Sequence, residues 1–398
     1  MGGHDPLTRS FMRLHRLLPF CFALVFATGL RAQDNLYTLH DMAPLWLNAA
    51  NTGAFAGSVR VGGIYRGQWY SINGIQSPTA YLDAPLPFAL RKQDWIGVGL
   101  SLVNSKQPFN GMNDTDESPV NADITENFFG FSAAYHLSLD KKRTNILTLG
   151  AQYGSISYGG EFAGVLDQEG NIASAPGFQT EGFNEFQPTG NNMGSGGSGQ
   201  GNNNRSVNDL NVGLKLKLLL DKKKENVFEG GVTMLHLTSP ERRPIFMREG
   251  VTNPPDSMGM NPINPGNGPR ELRERKPAIH AHARLDLEMS EKWRLQPTAV
   301  FLQSSRSSFV SAQVWGQRNL RKDLDLRLGV GYRTGDAAQL LFGLDFEQIK
   351  TAISYDLTVN SNSRQVTNYQ GAFEISAQYI FNIYKKPEVV PTILCPDI

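Results

Sequence analysis

The chain has 398 residues and a net charge of +1, from 38 basic and 37 acidic side chains. This balance excludes the strongly basic surface expected of a nucleic-acid-binding protein, so no nucleic-acid partner is predicted. The 40 glycines and 22 phenylalanines indicate many strands and turns and argue against a helical bundle.

The first segment, residues 1–32, is predicted to be a cleaved secretory signal peptide. Arginines form a basic start, the apolar run LLPFCFALVFATGL follows, and cleavage is expected after Ala32. The alternative is a membrane anchor, for which the run is short. Cleavage removes Cys21 and leaves Cys395 as the remaining cysteine, so no intrachain disulfide is expected.

Residues 33–57 are interpreted as an N-terminal periplasmic or plug segment. Residues 58–385 then hold about fourteen strand candidates, each alternating apolar and polar residues between turn signals. These candidates span roughly 9–13 residues, close to the roughly 9–11 that cross a bilayer at a tilt. After the signal, no apolar run approaches the roughly 18 residues of a spanning helix, so a membrane form would be a closed barrel. Residues 386–398 would be a periplasmic C-terminal tail.

The stretch AIHAHARLDLEM, residues 278–289, shows the alternation most clearly. Its apolar side chains share one parity, because successive side chains of a strand point to opposite faces. In a soluble β-sandwich the apolar face would pack inward, whereas in a transmembrane barrel it would contact lipid and the polar face would line the lumen. The residues on the polar parity are His280, His282, Arg284, Asp286 and Glu288.

The connections between the strands favour the membrane alternative. The even-numbered ones are short, such as DKKRTN, DKKKEN and SEK, whereas the long ones are the third (about residues 105–126), the fifth (162–206) and the seventh (239–276). Outer-membrane barrels have short periplasmic turns and long outer loops. The predicted fold is therefore all-β, a transmembrane antiparallel up-and-down β-barrel of about fourteen strands in outer-membrane lipid. A soluble β-sandwich array with a binding role is the alternative fold.

The polar parity of these strands supplies the side chains expected in the lumen. They would line an open channel or help to fill a barrel plugged by loops or by the N-terminal segment, and we favour the plug. Aromatic residues near strand ends are expected in girdles at the membrane interfaces, or else in an ordinary core. The predicted lumen residues are Arg60, Arg66, Lys215, Lys217, His280, His282, Arg284, Asp286, Glu288, Arg327 and Arg333, and the predicted girdle residues are Tyr65, Trp69, Trp95, Tyr135, Trp293, Trp315, Tyr332 and Tyr379.

No catalytic, cofactor or metal site is predicted, and the chain is predicted not to be an enzyme. His280 and His282 stand two residues apart, but neither a cysteine nor a second histidine pair accompanies them, as a zinc site would need. The run GNNMGSGGSGQGNNN lacks the Gly-Lys-Ser/Thr ending of a phosphate loop and is interpreted as an outer loop. Cys395 is a candidate contact to the thiol of a partner protein.

The start of the mature chain resembles a known family. The segment QDNLYTLHDMAPLWLNAANTGAFAGSVRVGGIYRGQW is similar to the opening of the PorP/SprF family, outer-membrane proteins of type IX secretion and gliding in Bacteroidetes-type bacteria. Ala49 departs from the usual proline, and KKPEVVPTILCPDI resembles the family's C-terminal tail. The residues that carry the resemblance are Pro44, Asn48, Ala50, Gly53, Tyr65, Arg66, Gln68 and Trp69.

This resemblance implies a function as well as a fold. It implies an outer-membrane barrel without catalysis that docks a secreted adhesin or cargo protein to the type IX machinery. A second implied partner is a peptidoglycan-binding periplasmic protein that holds the motor ring. The alternative function is transport, by a porin or by a channel for hydrophobic substrates.

Overall fold

Fourteen antiparallel strands form one closed barrel in the described part of the chain, a confirmation of the predicted fold class. Each strand pairs with the strands before and after it, and the first pairs with the last. The structure is a computed structural model that describes residues 37–69, 74–87, 89–110, 121–163, 205–240, 275–304, 308–359 and 370–382. The strands are β1 (Val59–Gln68), β2 (Ile75–Leu86), β3 (Trp95–Asn110), β4 (Asn121–Ser138), β5 (Ile146–Ala163), β6 (Arg205–Asp221), β7 (Asn226–Leu235), β8 (Ala278–Ser290), β9 (Trp293–Gln303), β10 (Ser308–Arg321), β11 (Leu324–Arg333), β12 (Ala337–Phe346), β13 (Ile349–Thr358) and β14 (Ala372–Phe381).

Alternation along each strand separates the two faces of the barrel wall. In β11, Leu328, Val330 and Tyr332 are 54%, 60% and 48% exposed, whereas Arg327 and Arg333 are buried. A water-soluble barrel would reverse this order, because it buries its apolar parity. The wall therefore has an apolar outer face and a polar inner face, as in barrels that lie in lipid.

Strands β3 and β4 are longer than the sequence pattern predicts. The third connection is predicted at about residues 105–126, but the ladder between these strands continues as far as the pair formed by Asn110 and Asn121. The prediction is wrong here because the added residues are mostly polar on both faces. Backbone hydrogen bonds hold them in the ladder, and these bonds have no signature in side-chain alternation.

The connections divide the barrel into two unlike rims. Even-numbered connections are short, such as residues 222–225 between β6 and β7 and residues 291–292 between β8 and β9, and we call their side the short-turn rim. The third, fifth and seventh connections lie at the opposite side, which we call the long-loop rim, and they include residues 164–204 and 236–277. The rim on which a residue lies therefore follows from its place along its strand.

Residues 37–57 lie inside the barrel, and we call them the inner segment. They form a short helix α1 (Pro44–Leu47) between two 3₁₀ turns, His40–Met42 and Ala49–Asn51. Next to the inner segment, the Ser58 N–H donates to the carbonyl of Phe381 at the short-turn rim. None of the helices in the described residues has the length and apolarity needed to cross a membrane.

Candidate functional site in the barrel interior

A buried ion-pair network closes the interior near the long-loop rim. We call it the long-loop cluster, and it joins Arg66, Arg333, Asp356 and Glu374. Arg333 Nη2 lies 2.7 Å and Arg66 Nη1 lies 3.3 Å from Asp356 Oδ2, and Arg66 also pairs with Glu374. All four side chains are at most 8% exposed. A buried charge without its partner is strongly destabilising, so the stability of the cluster depends on all four side chains being present.

The long-loop cluster also holds the start of the inner segment. The backbone N–H groups of Thr38 and Leu39 donate to the two carboxylate oxygens of Glu374 at 2.7 and 2.8 Å. The Thr38 hydroxyl donates to Asp356 at 2.8 Å, and the amide of Gln313 donates to the Thr38 carbonyl at 2.7 Å. Three different strands, β10, β13 and β14, therefore hold a residue that lies outside the sheet.

Glycines on the wall receive the middle of the inner segment. A Cβ atom on Gly213 would overlap the side-chain oxygen of Asn48, and one on Gly150 would overlap the backbone of Ala50. Asn48 Oδ1 accepts from the Ala50 N–H at 2.8 Å, and its amide donates to the Leu214 carbonyl at 3.2 Å. Glycine is required here because the backbone of the inner segment lies directly against the backbone of the wall.

Near the short-turn rim, Arg60 and Asp83 anchor the other end of the inner segment. Arg60 donates to both carboxylate oxygens of Asp83, at 2.8 and 2.7 Å, and Asp83 also accepts from the Gly53 N–H at 2.7 Å. Gly53 has a φ of +69°, and Trp95 Nε1 donates to its carbonyl at 3.0 Å. A glycine suits this backbone conformation and the close approach to Gly97.

Two of the predicted girdle aromatics lie inside the barrel, so their predicted placement is wrong. Trp315 is 4% exposed and packs with Met42, Ile64 and Leu341. Trp95 stacks on His136 with ring centroids 4.6 Å apart. The inner segment contacts both rings inside the lumen, through Met42 at Trp315 and through the Gly53 carbonyl at Trp95, and strand alternation alone does not reveal these contacts.

The remaining predicted lumen residues lie along the inner wall, and several of them form ion pairs outside the long-loop cluster. Arg327 Nη1 lies 2.8 Å from Asp41 Oδ2 of the inner segment. Glu229 pairs with two lysines of β6, at 3.3 and 3.6 Å, and Arg294 pairs with Asp286 at 3.1 Å. The predicted residues in this region are Lys215, Lys217, His280, His282, Arg284, Asp286 and Glu288, of which Lys215 and His280 are buried and the others half-buried.

The family-motif residues take several structural roles. Pro44 begins α1, where a missing N–H costs nothing. Tyr65 is half-buried on the outer parity of β1. The Gln68 side chain accepts from Arg66 Nη2 at 3.5 Å, and the Trp69 N–H donates to the Gly371 carbonyl at 3.1 Å. These contacts complete the wall where β1 meets the long-loop rim.

The candidate list from the sequence omits the acidic partners Asp41, Asp83, Asp356 and Glu374. The inward parity of Asp83, Asp356 and Glu374 is visible in the sequence, but their pairing across strands depends on the closed register, and Asp41 lies on the inner segment, which has no strand parity. Among the described residues, no group of three or more His, Cys, Asp or Glu side chains could hold a metal ion. Cys395 and the tail lie outside the described residues.

Known structures with a similar barrel are bacterial outer-membrane proteins of low sequence identity. The Pseudomonas putida toluene transporter TodX is 13% identical, with 86% of this chain and 93% of that chain covered and a TM-score of 0.44. The CymD monoaromatic hydrocarbon channel is 12% identical, with 89% and 95% covered and a TM-score of 0.44. A Pseudomonas aeruginosa FadL homologue is 12% identical, with 86% and 94% covered and a TM-score of 0.42. At this level of likeness, nothing follows about activity or substrate.

The family of the chain is shown by a different comparison. No curated protein sequence matches the chain significantly. The family model for the type IX secretion system membrane protein PorP/SprF matches residues 30–379, which span the inner segment and nearly all of the barrel. The resemblance in the N-terminal motif thus extends across the barrel, and the chain belongs to the PorP/SprF family of type IX secretion system membrane proteins.

Proposed function

We propose that this protein is a non-catalytic outer-membrane component of the type IX secretion and gliding machinery. In this role it docks a secreted adhesin or cargo protein to periplasmic motor or anchor proteins. Family membership supports the assignment to the type IX machinery. The apolar outer face of the wall supports a location in outer-membrane lipid. The observation that carries the docking role is the inner segment, which fills the interior and is bonded near both rims.

The filled interior favours a scaffold over a porin or a channel for hydrophobic substrates. Opening a path along the barrel axis would require the inner segment to leave the long-loop cluster and the Arg60–Asp83 pair. Its departure would break the hydrogen bonds that the N–H groups of Thr38, Leu39 and Gly53 donate to buried carboxylates, and hydrogen bonds to charged groups each contribute about 1.5–3 kcal/mol. A scaffold needs no such opening, because its partners bind at the rims.

The two rims would meet different partners. The long loops would face the cell surface and contact the adhesin or cargo, since outer-membrane barrels place long loops outside. The short-turn rim would face the periplasm, where the lysine-rich turns at residues 140–145 and 221–226, the tail 386–398 and Cys395 would contact the machinery. A peptidoglycan-binding protein is the proposed anchor on that side. Residues 1–32 would direct export and then be cleaved off.

Affinity purification of the tagged full-length protein from detergent-solubilised outer membranes, followed by mass spectrometry, tests this function. We expect a secreted adhesin or cargo protein together with periplasmic components. Deleting residues 385–398 should reduce recovery of the periplasmic partners alone, whereas shortening the loop at residues 190–204 should reduce recovery of the secreted partner alone. Recovery of the protein without partners, together with ion conductance in a planar bilayer, would establish a channel instead.

A further inference from the structure

A cavity of about 390 Å³ lies between the inner segment and the wall, towards the short-turn rim. Small-molecule sites have volumes of about 300–1,000 Å³, so this space is large enough for a small organic ligand. Its position follows from its lining, since Lys350 stands at the start of β13 and Ile380 near the end of β14, both at the short-turn rim. His40 and Asp41 of the inner segment form the opposite boundary.

The lining carries an excess of positive charge. Four cationic side chains (Arg60, Lys215, Arg284 and Lys350) face two anionic ones (Asp41 and Glu229), so the net charge is 4 − 2 = +2 with the histidines neutral. A cleft that carries one sign of charge attracts ligands of the opposite sign. The cavity therefore favours an anion.

Two of these cations form no hydrogen-bonded ion pair with an acidic side chain of the described residues. Arg60 is held by Asp83, and Lys215 by Glu229. Arg284 Nη2 has its acidic neighbour, Asp286 Oδ2, only at 3.8 Å. Lys350 is exposed at the short-turn end of β13, opposite Asp345 of β12, which pairs with Arg327 at 3.1 Å. No ion pair of 4.0 Å or less joins Lys350 to a residue that the structure describes.

The two anions of the lining are already engaged. Asp41 pairs with Arg327 at 2.8 Å, and Glu229 pairs with lysines of β6. Lys350 and Arg284 line the same cavity, and both lie near Asp41, so they can act on a single ligand.

Two histidines, His40 and His282, also line the cavity. His40 Nε2 and His282 Nδ1 have no hydrogen-bond partner within the described part of the chain, but both atoms have almost no accessible surface and do not contact the cavity space. The charge that a ligand would meet therefore comes from the lysine and arginine side chains of the lining.

We infer that this cavity is a binding site for a small oxyanion with at least two negative charges, carried by carboxylate or phosphate groups. Lys350 and Arg284 supply the positive charge and the hydrogen-bond donors. The ligand enters from the short-turn rim, because the long-loop cluster and the inner segment close the other side. This inference goes beyond docking, which requires no ligand inside the barrel.

Isothermal titration calorimetry on the full-length protein in detergent micelles tests this site, with citrate and inorganic phosphate as separate probes. Binding of either probe is expected, and the tighter one identifies the carboxylate or the phosphate source. K350Q and R284Q should each weaken binding by about tenfold, because each removes one positive charge and its hydrogen-bond donors from the lining. Both residues lie outside the tight buried pairs, so the variants should keep the mobility of the folded barrel on unheated gels.

The matched control is K322Q, which removes one positive charge from an exposed short turn at the same rim, outside the cavity lining. It should bind the probe as the unmodified protein does. The site is refuted if neither anion binds the unmodified protein, or if K322Q weakens binding as much as K350Q. Partner recovery by K350Q provides a separate readout of docking, so loss of the ligand site and loss of the docking role can be distinguished.

Discussion

The side-chain oxygen of Asn48 occupies the space that a Cβ atom on Gly213 would need. The Asn48 amide also donates to the Leu214 carbonyl, the next residue of β6, so the contact fixes the centre of the inner segment against one strand. A side chain at position 213 must therefore displace the inner segment, because the strand is held by ladders on both sides.

Replacing Gly213 with valine should open the barrel interior without unfolding the wall. Valine favours strands, so the wall itself should remain intact. We expect higher ion conductance in planar bilayers, with an unheated gel mobility that still indicates a folded barrel. Gly316→Val is the matched control, because the atom nearest to its added Cβ would be the Leu328 carbonyl oxygen at 3.8 Å. Equal conductance of the two variants would count against this account.

Removing the Asp356 carboxylate should destabilise the protein strongly. Asp356→Asn leaves Arg66 and Arg333 with reduced compensation in a buried site, and the expected loss in free energy of unfolding is about 3–5 kcal/mol. Urea unfolding in lipid vesicles measures it. Glu225→Gln serves as the comparison, because Glu225 is 78% exposed and 4.0 Å from Arg294, and its loss should cost less than about 1 kcal/mol. Similar losses for both variants would show that the long-loop cluster is not critical.

An arginine on the outer face should reveal which solvent surrounds the barrel. Leu328 lies near the middle of β11 and is 54% exposed, so Leu328→Arg should cost about 2–4 kcal/mol in a bilayer. Leu320 lies at the short-turn rim, where the same change should cost about 0–1 kcal/mol. The measurement is unfolding in vesicles. In a water-soluble barrel the two changes would have equally small effects.

The Asp94 carboxylate should make the free energy of unfolding depend on pH in the acid range. Hydrogen bonds from Arg91 at 2.8 and 3.0 Å, with further ones from Tyr135 and Ser138, lower its pKa to about 2. Because the pKa in the unfolded chain is about 3.9, the ionised carboxylate stabilises the fold above about pH 4, and this contribution is lost as pH falls towards 2.

Thermal unfolding between pH 7 and pH 2 checks this dependence. Asp94→Asn should unfold at a lower temperature than the unmodified protein at neutral pH, and the difference should shrink towards pH 2. Arg91→Gln should reproduce part of the difference, and the double variant should add little to Asp94→Asn. A difference between the two proteins that stays constant over the whole range would exclude this interaction as its source.

Alternation and connection length were sufficient to predict the barrel, because both follow from local geometry. In β8, for example, the parity shared by Arg284 and Asp286 faces inward, and the short turn after Ser290 lies on the expected rim. Alternation depends only on the pleat of a strand, and the position of a turn depends only on where the chain reverses direction. Both can be recognised from consecutive residues.

The partners inside the barrel could not be predicted in the same way. Arg66 of β1 pairs with Glu374 of β14, where the first and last strands close the barrel. Trp315 packs with Met42 of the inner segment, which belongs to no strand. Both contacts depend on how the barrel closes and on the path of the inner segment through it. The sequence holds no local pattern that specifies either.

The inner segment also has a consequence for the order of assembly. The Thr38 N–H bonds to Glu374, a residue 336 positions later in the chain, and the Thr38 hydroxyl bonds to Asp356 on the strand before it. Until these last two strands have been synthesised and placed, the first residues lack their acceptors and Arg66 lacks its carboxylates. A chain that stops short of β13 cannot bury this arginine. The inner segment can therefore take its final position only after the last two strands have joined the barrel.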